Sequence, residues 1–212
     1  DTSPLTKSGA PMHDNPPSPL FLRLFMAAYF CAGFGYVISA TFIVAIVDGL
    51  PGLAGQGALA FLAIGLAAAP AAFNWDLIAR YTGDLNALIL AAVLQIVGIV
   101  LPVAVGGLIP TLFGALLFGG TFIGMVSLVL TMAGRYYPTR PAKMMGRMTL
   151  SYGVAQIIGP ALVGWLATRL GNYSIGLYLA SGVMVVGVVF LAILKLVEKR
   201  DAALALQPCP QN

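Results

Sequence analysis

The sequence predicts an all-α membrane protein: six transmembrane helices, built as two inverted three-helix repeats. Three observations carry this prediction. The chain of 212 residues is 59% hydrophobic and only 8% charged, against roughly a quarter charged in an ordinary soluble domain. Its apolar residues fall into six long runs, at 20–48, 57–73, 86–105, 110–133, 148–168 and 174–197. Runs of about 20 residues match a hydrocarbon layer about 30 Å thick, and unbroken apolarity of this kind belongs to helices, which satisfy their own backbone polar groups in lipid. A barrel would show short alternating segments instead. The third observation is the placement of charge. Of the 11 Lys and Arg residues, Lys7, Arg23, Arg80, Arg135, Arg140, Lys143, Arg147, Lys195, Lys199 and Arg200 precede, follow or connect the spans on one side. The opposite connections, 49–56 and 106–109, carry none, and Arg169 alone breaks the pattern. Short basic loops stay cytoplasmic, so both termini are expected inside the cell. The net charge of +4 sits at membrane edges rather than in an aromatic-interleaved basic stripe, which argues against a nucleic-acid partner.

Three regions follow from this reading. Residues 1–19 form a Pro- and Ser-containing cytoplasmic linker expected to be disordered, 20–197 the helical bundle, and 198–212 a cytoplasmic tail. A linker that leads straight into a bundle points to a preceding part of a longer protein. Cys31 lies in the first span and Cys209 in the tail, so neither a disulfide nor a metal site is expected. His13 reads as a solvated tail residue.

The first span carries Tyr29, Gly33 and Tyr36 on one helical face. Tyr36 and Tyr29 are candidate cavity-lining residues, since a phenol offers an aromatic wall and one hydroxyl; interfacial anchoring or packing is the competing role for Tyr29. The second span ends in the small-residue run 67–72, suited to sliding contact. Gln95 of the third span is expected to bond between helices. The fourth span aligns Gly120, Gly124, Ser127 and Thr131 on one stripe. That stripe is either a helix-packing seam or a cavity wall with Ser127 as a contact. In the fifth, Tyr152 and Gln156 are the best candidates for contact with a substrate, because a mid-span amide is costly unless it faces protein or water. Gly159-Pro160 should kink that helix. The sixth, nearly all apolar over 183–194, reads as lipid-facing.

An internal echo supports the repeat. Trp75, Ala79, Arg80 and Gly83 after span two recur as Trp165, Ala167, Arg169 and Gly171 closing span five. The tryptophans stand 90 residues apart, the arginines 89 and the glycines 88. A three-span unit is odd, so its second copy enters the membrane upside down, as in secondary transporters. Arg169 is then the repeat's arginine stranded outside.

At these residues the chain resembles the C-terminal six-helix half of the major facilitator superfamily. Ala79-Arg80-Tyr81-Thr82-Gly83-Asp84 looks like a degenerate copy of that superfamily's loop motif, Gly-x-Leu-Ala-Asp-Arg-x-Gly-Arg-Arg. Gly83 fits the second glycine. Arg80 stands where the motif has Asp, and Asp84 where it has Arg. The run from Gly153 to Gly164, with Gln156, Gly159 and Pro160, is similar to the Gly-Gln-x-x-Gly-Pro-x-x-x-Gly signature of the YbfB/YjiJ-type bacterial transporters, with Ala155 in place of its first glycine. The stretch from Gly33 to Phe42 also looks like that group. The resemblance implies secondary active transport of a small organic solute across the bacterial inner membrane by alternating access. It makes this chain one half of the transporter, with spans two and five against the other half. Arg80, Asp84 and Arg147 would contribute to an inner latch, and Gly159-Pro160 to rocking. The expected partners are the bilayer, the solute, and either an N-terminal six-helix half or a second copy of the chain.

No residue is expected to be catalytic, and no cofactor is expected. A serine-protease-like Gly-x-Ser-x-Gly, a His-Glu-x-x-His and paired Asn-Pro-Ala motifs are absent from the sequence. A homodimeric transporter or channel remains the main alternative, an intramembrane enzyme the lesser one. No Asp, Glu, Lys or His lies mid-span, so a protonatable residue for proton coupling is expected in the other half, with Asp48 the local alternative.

Overall fold

The computed structural model describes residues 12–205. The described residues form seven helices: α1 Pro19–Asp48, α2 Gly57–Ala68, α3 Ala71–Thr82, α4 Asp84–Ala104, α5 Leu108–Tyr136, α6 Pro141–Leu170 and α7 Ser174–Ala205. Five are long and apolar enough to cross a membrane singly, and α2 with α3 make the sixth crossing as a pair bent by 49°. The protein is a multi-pass membrane protein, with six crossings among the described residues when the bent pair counts as one. Seven helices arise because span two is broken. Pro70 has no N–H to continue the ladder and instead caps the start of α3. The helix then resumes and runs to Thr82, so the Trp75–Arg80 segment, expected as an exit turn after residue 73, is helical throughout.

Local chemistry sets the other boundaries. Ser18 accepts a hydrogen bond from the Phe21 N–H, and Pro19 opens α1. Gly83 separates α3 from α4 at φ 90°, and Gly171 ends α6 in the left-handed region at φ 69°. Asp48, at the end of α1, accepts the Gly57 N–H at 2.8 Å and so fixes the start of α2. The local candidate for proton coupling is thus occupied as a helix cap.

The packing repeats itself across the two halves of the bundle. α1 lies against α6 and α7, while α5 lies against α2, α3 and α4. Exchanging α1 with α5, α2–α3 with α6, and α4 with α7 maps these principal pairings onto each other. The α4–α7 contact maps onto itself. That is the pattern of two interlocked inverted three-helix units. Lipid gives helices no hydrophobic reason to associate, so close van der Waals fit has to hold them. Two glycines show how close. A Cβ at Gly33 of α1 would meet the Tyr152 carbonyl of α6 at 2.7 Å, and one at Gly124 of α5 would overlap the Trp75 ring of α3.

The interior holds Phe25, Ile38, Leu88, Met148, Leu177 and Met184. α7, expected to face lipid, buries Met184, Leu191 and Leu194 and exposes Val185, Val186 and Val189. Gln95 is buried with its Oε1 unpartnered, so the interhelical bond expected of it does not form through that atom.

Charge collects at one end. Arg135 donates to Asp84 at 2.6 Å, Arg80 to Asp76 at 2.7 Å, and Lys195 to Asn86. Thr139 donates to Asp14 from both its N–H (3.0 Å) and its hydroxyl (2.7 Å), and the Asn15 N–H donates to the Tyr136 carbonyl. Residues 12–18 before α1 are therefore non-helical but held on the α5–α6 turn. α7 continues to Ala205, so the expected tail begins as helix. Lys7 and Cys209 lie outside the described residues. At the other end Arg169 sits over the Trp165 ring, 5.2 Å from its centroid.

Candidate solute-binding cleft

A cleft of about 490 Å³ opens between α1, α2, α5 and α6. Tyr36, Val37, Ala40 and Thr41 come from α1, Phe118 and Phe122 from α5, and Gln156 from α6. Phe61, Ile64, Gly65 and Ala68 of α2 form the remaining wall. The four contributing crossings are one and two, four and five, which are partners under the exchange described above.

Helix spacing explains how the site is assembled. Phe118 and Phe122 are one turn apart on α5 and present both rings on one face. The Tyr36 ring lies 4.8 Å from Phe122 and 6.3 Å from Phe118, nearly parallel to the latter at 7°. Tyr152 of α6 stands behind Tyr36 at 5.9 Å and packs on Tyr29 at 4.7 Å. Five rings from three helices thus form a continuous aromatic floor. Ring pairs at 4.5–7 Å each add about 0.5–1.5 kcal/mol beyond their buried area. The floor is anchored where α1 meets α6. Gly33 admits Tyr152, and the Ser151 hydroxyl donates to the Met26 carbonyl at 3.0 Å.

Polar groups in the cleft are few: the Tyr36 and Thr41 hydroxyls and the Gln156 amide. α6 runs as one helix through Gly159-Pro160, but Pro160 brings no N–H, so the main-chain carbonyl of Gln156, four residues back, lacks its usual helical donor. The Gln156 side chain supplies one donor group and one acceptor. No Asp, Glu, His, Lys or Arg lines this cleft.

The structure sorts the expected site residues. Tyr36 and Gln156 face the cleft together. Tyr29 and Tyr152 lie beneath it, 3% and 9% exposed. Ser127 is not among its lining residues. Its stripe is instead a seam, in which Trp75 fills the notch at Gly124 and donates Nε1–H to the Gly120 carbonyl at 2.6 Å. Of the latch residues, Arg80 bonds Asp76 within its own helix, and Asp84 bonds Arg135 rather than Arg80. Arg147 sits apart from both, with Arg140, Lys143 and Asp14 around a small cavity of about 160 Å³. Asp14 titrates below the ordinary carboxylate value of 3.8 because Thr139 donates two hydrogen bonds to it, side chain first, and Arg140 is near. Sequence reasoning missed Phe118, Phe122, Thr41 and the whole α2 wall. The four-residue spacing of Phe118 and Phe122 on the helix that carries the glycine stripe was the available signal.

Comparison with known proteins completes the description. A family profile described as "Uncharacterised MFS-type transporter YbfB" matches residues 3–192. Among curated proteins, none matches the chain. Several solved structures share the fold. The POT family transporter PepTSo aligns with a TM-score of 0.70 at 15% identity, over 84% of this chain and 38% of that one. The fucose:proton symporter of E. coli aligns with a TM-score of 0.67 at 14% identity, over 82% of this chain and 42% of that one. A peptide transporter of the POT type in complex with sulfate aligns with a TM-score of 0.67 at 19% identity, over 84% and 39%. The chain thus spans about two-fifths of the length of each structure it matches.

Proposed function

This chain belongs to the MFS-type transporter family represented by YbfB, and on that basis we propose that it is one six-helix half of a secondary active transporter for a small organic solute. The relatives that share its fold are transporters rather than enzymes. The observation that carries the proposal is the cleft. Two of its walls, α2 and α6, belong to pseudo-equivalent crossings, and the exposed residues of those crossings include Leu66, Phe73, Leu150, Ile157 and Trp165. A second six-helix unit, the N-terminal half or another copy, would cover these flanks and close the cleft into a central cavity. The bundle would then rock as a body to expose that cavity to either side in turn.

Tyr36 and Gln156 are the contacts we assign to the solute. Tyr152 and Tyr29 support Tyr36 from below, and Gly159-Pro160 frees the Gln156 carbonyl. The inner latch we assign to Asp84 with Arg135 and to the Arg147 cluster, while Arg80 stiffens α3 through Asp76. We place the protein in the bacterial inner membrane with the Asp84–Arg135 end cytoplasmic. Cysteine labelling of the 137–140 turn from the outside of intact cells would overturn that orientation.

In the full-length transporter, Tyr36→Ala and Gln156→Ala should each reduce uptake at unchanged membrane expression. Normal transport by both variants would remove the cleft from the pathway. Crosslinking in membranes separates the two possible second units. A homodimer of this chain that transports would identify the partner as a second copy.

A further inference from the structure

We propose that the cavity at the base of α6 holds the phosphate of an anionic phospholipid headgroup. Arg140, Lys143 and Arg147 take the phosphate, and Val154 and Ile158 on the same flank take an acyl chain. The inference rests on the latch reading above and gives its Arg147 arm a counter-charge.

The cavity is complete within this chain. Asp14 reaches it from the segment before α1 and Tyr137 from the α5–α6 turn, while Arg140, Lys143, Met144 and Arg147 come from α6. The two hydrogen bonds from Thr139 to Asp14 hold these stretches together. The cavity also lies away from the cleft. Arg147 stands nine residues before Gln156, which at 3.6 residues per turn puts the two side chains on opposite faces of α6. A unit that closes over Gln156 is therefore not needed to build this site.

Its charge is unspent. Three cations face one carboxylate around about 160 Å³. None of the three makes an ion pair among the described residues. Asp14, the single acid, already accepts two hydrogen bonds from Thr139. All three cations are exposed, while Met144 and Met148 seat the helix behind them. Two guanidinium forks and one ammonium group suit the several oxygens of a phosphate.

Depth favours a lipid over a free phosphate. The apolar run of α6 begins at Met148. Arg147 therefore stands at the edge of the hydrocarbon, with Lys143 and Arg140 about one and two turns below it. From Arg140 to Arg147 the helix rises about 10 Å, comparable with a headgroup layer of about 5–8 Å in each leaflet. Seven and eleven residues beyond Arg147, on the same flank, Val154 and Ile158 are 40% and 45% exposed. One flank thus presents cations at phosphate depth and an apolar track at chain depth. Basic pockets at this level suit anionic headgroups.

The test is equilibrium binding of phosphatidylglycerol, phosphatidylcholine and glycerol phosphate to the full-length transporter in neutral detergent micelles. Phosphatidylglycerol should bind more tightly than phosphatidylcholine, whose choline offsets the phosphate. Arg140→Gln, Lys143→Gln and Arg147→Gln should each weaken it about fivefold, the share of one cation near an anionic surface. Lys199→Gln, an equal loss of charge on the exposed end of α7, should leave it unchanged. Ile158→Ser with Val154→Ser should weaken the lipid and leave glycerol phosphate as before. Equal weakening by Lys199→Gln, or no preference for phosphatidylglycerol, overturns the site. Glycerol phosphate bound as tightly as the lipid, and lost in the same three Gln variants, overturns the lipid and makes a soluble phosphate the ligand. Uptake measured alongside separates the two readings: Gln variants that lose the lipid and transport normally support the site and overturn the latch.

Discussion

The two echoing helix ends, Trp75 to Gly83 and Trp165 to Gly171, share a sequence pattern and have opposite fates. Trp75 is 4% exposed, with its ring in the Gly124 notch and its indole N–H on the Gly120 carbonyl. Trp165 is 55% exposed and touches the guanidinium of its own Arg169. Arg80, the counterpart of Arg169, pairs with Asp76, whereas the second copy has Leu166 where Asp76 would stand. A repeated motif therefore marks equivalent positions in the two units but does not set the duty of each residue. One copy bolts α3 to α5, and the other leaves the flank of α6 uncovered beside the cleft.

This contrast can be broken experimentally. The largest effect should come from Trp75→Ala, which empties a packed site and removes the indole's hydrogen bond to the Gly120 carbonyl. We expect a loss of about 3–5 kcal/mol in denaturant unfolding in micelles. Gly124→Ala should cost about 1–3 kcal/mol by the same assay, since its methyl group has to displace the indole. Gly164→Ala, near Trp165, meets nothing within 4 Å and should be neutral to slightly stabilising; an equal loss at both glycines would erase the distinction. Arg135→Gln removes an exposed ion pair with Asp84 and should cost at most about 1 kcal/mol. Trp165→Ala should shift the stability of this chain by no more than about 0.5 kcal/mol. A large loss there would mean that the α6 flank is already covered by a partner.

The smallest effect concerns the segment before α1. Folding lowers the Asp14 value, so the clip to Thr139 contributes in full above the ordinary carboxylate value of 3.8 and is lost as pH falls through the lower folded value. The protection factor of the Thr139 amide, the slowing of its exchange relative to an unprotected amide at the same pH, should fall only in that acid range, and Asp14→Asn should abolish the step.

The six crossings were legible because lipid imposes a length and an apolarity that hydropathy reads directly. Tyr36 and Gln156 were legible for the complementary reason: a polar group deep in an apolar run needs a reason to be there. Other features lay in long-range pairing. Nothing near Gly124 in the chain announces Trp75, and nothing near Asp84 announces Arg135. Phe118 and Phe122 escaped notice because a phenylalanine in a span satisfies lipid and cleft equally well. The break at Pro70 escaped because the alanines around it keep the hydropathy high while the backbone loses a hydrogen bond. Gly159-Pro160, by contrast, interrupts no helix: α6 runs on through it.

The elbow at Pro70 joins two rods that α5 grips separately. Below it, α3 is fastened by its indole anchor in the Gly124 notch. Above it, α2 is clasped by Asp48 and lies so close to α5 that a Cβ at Gly119 would overlap the Ile64 backbone. A neighbour that displaces either rod has to draw the long central helix along with it.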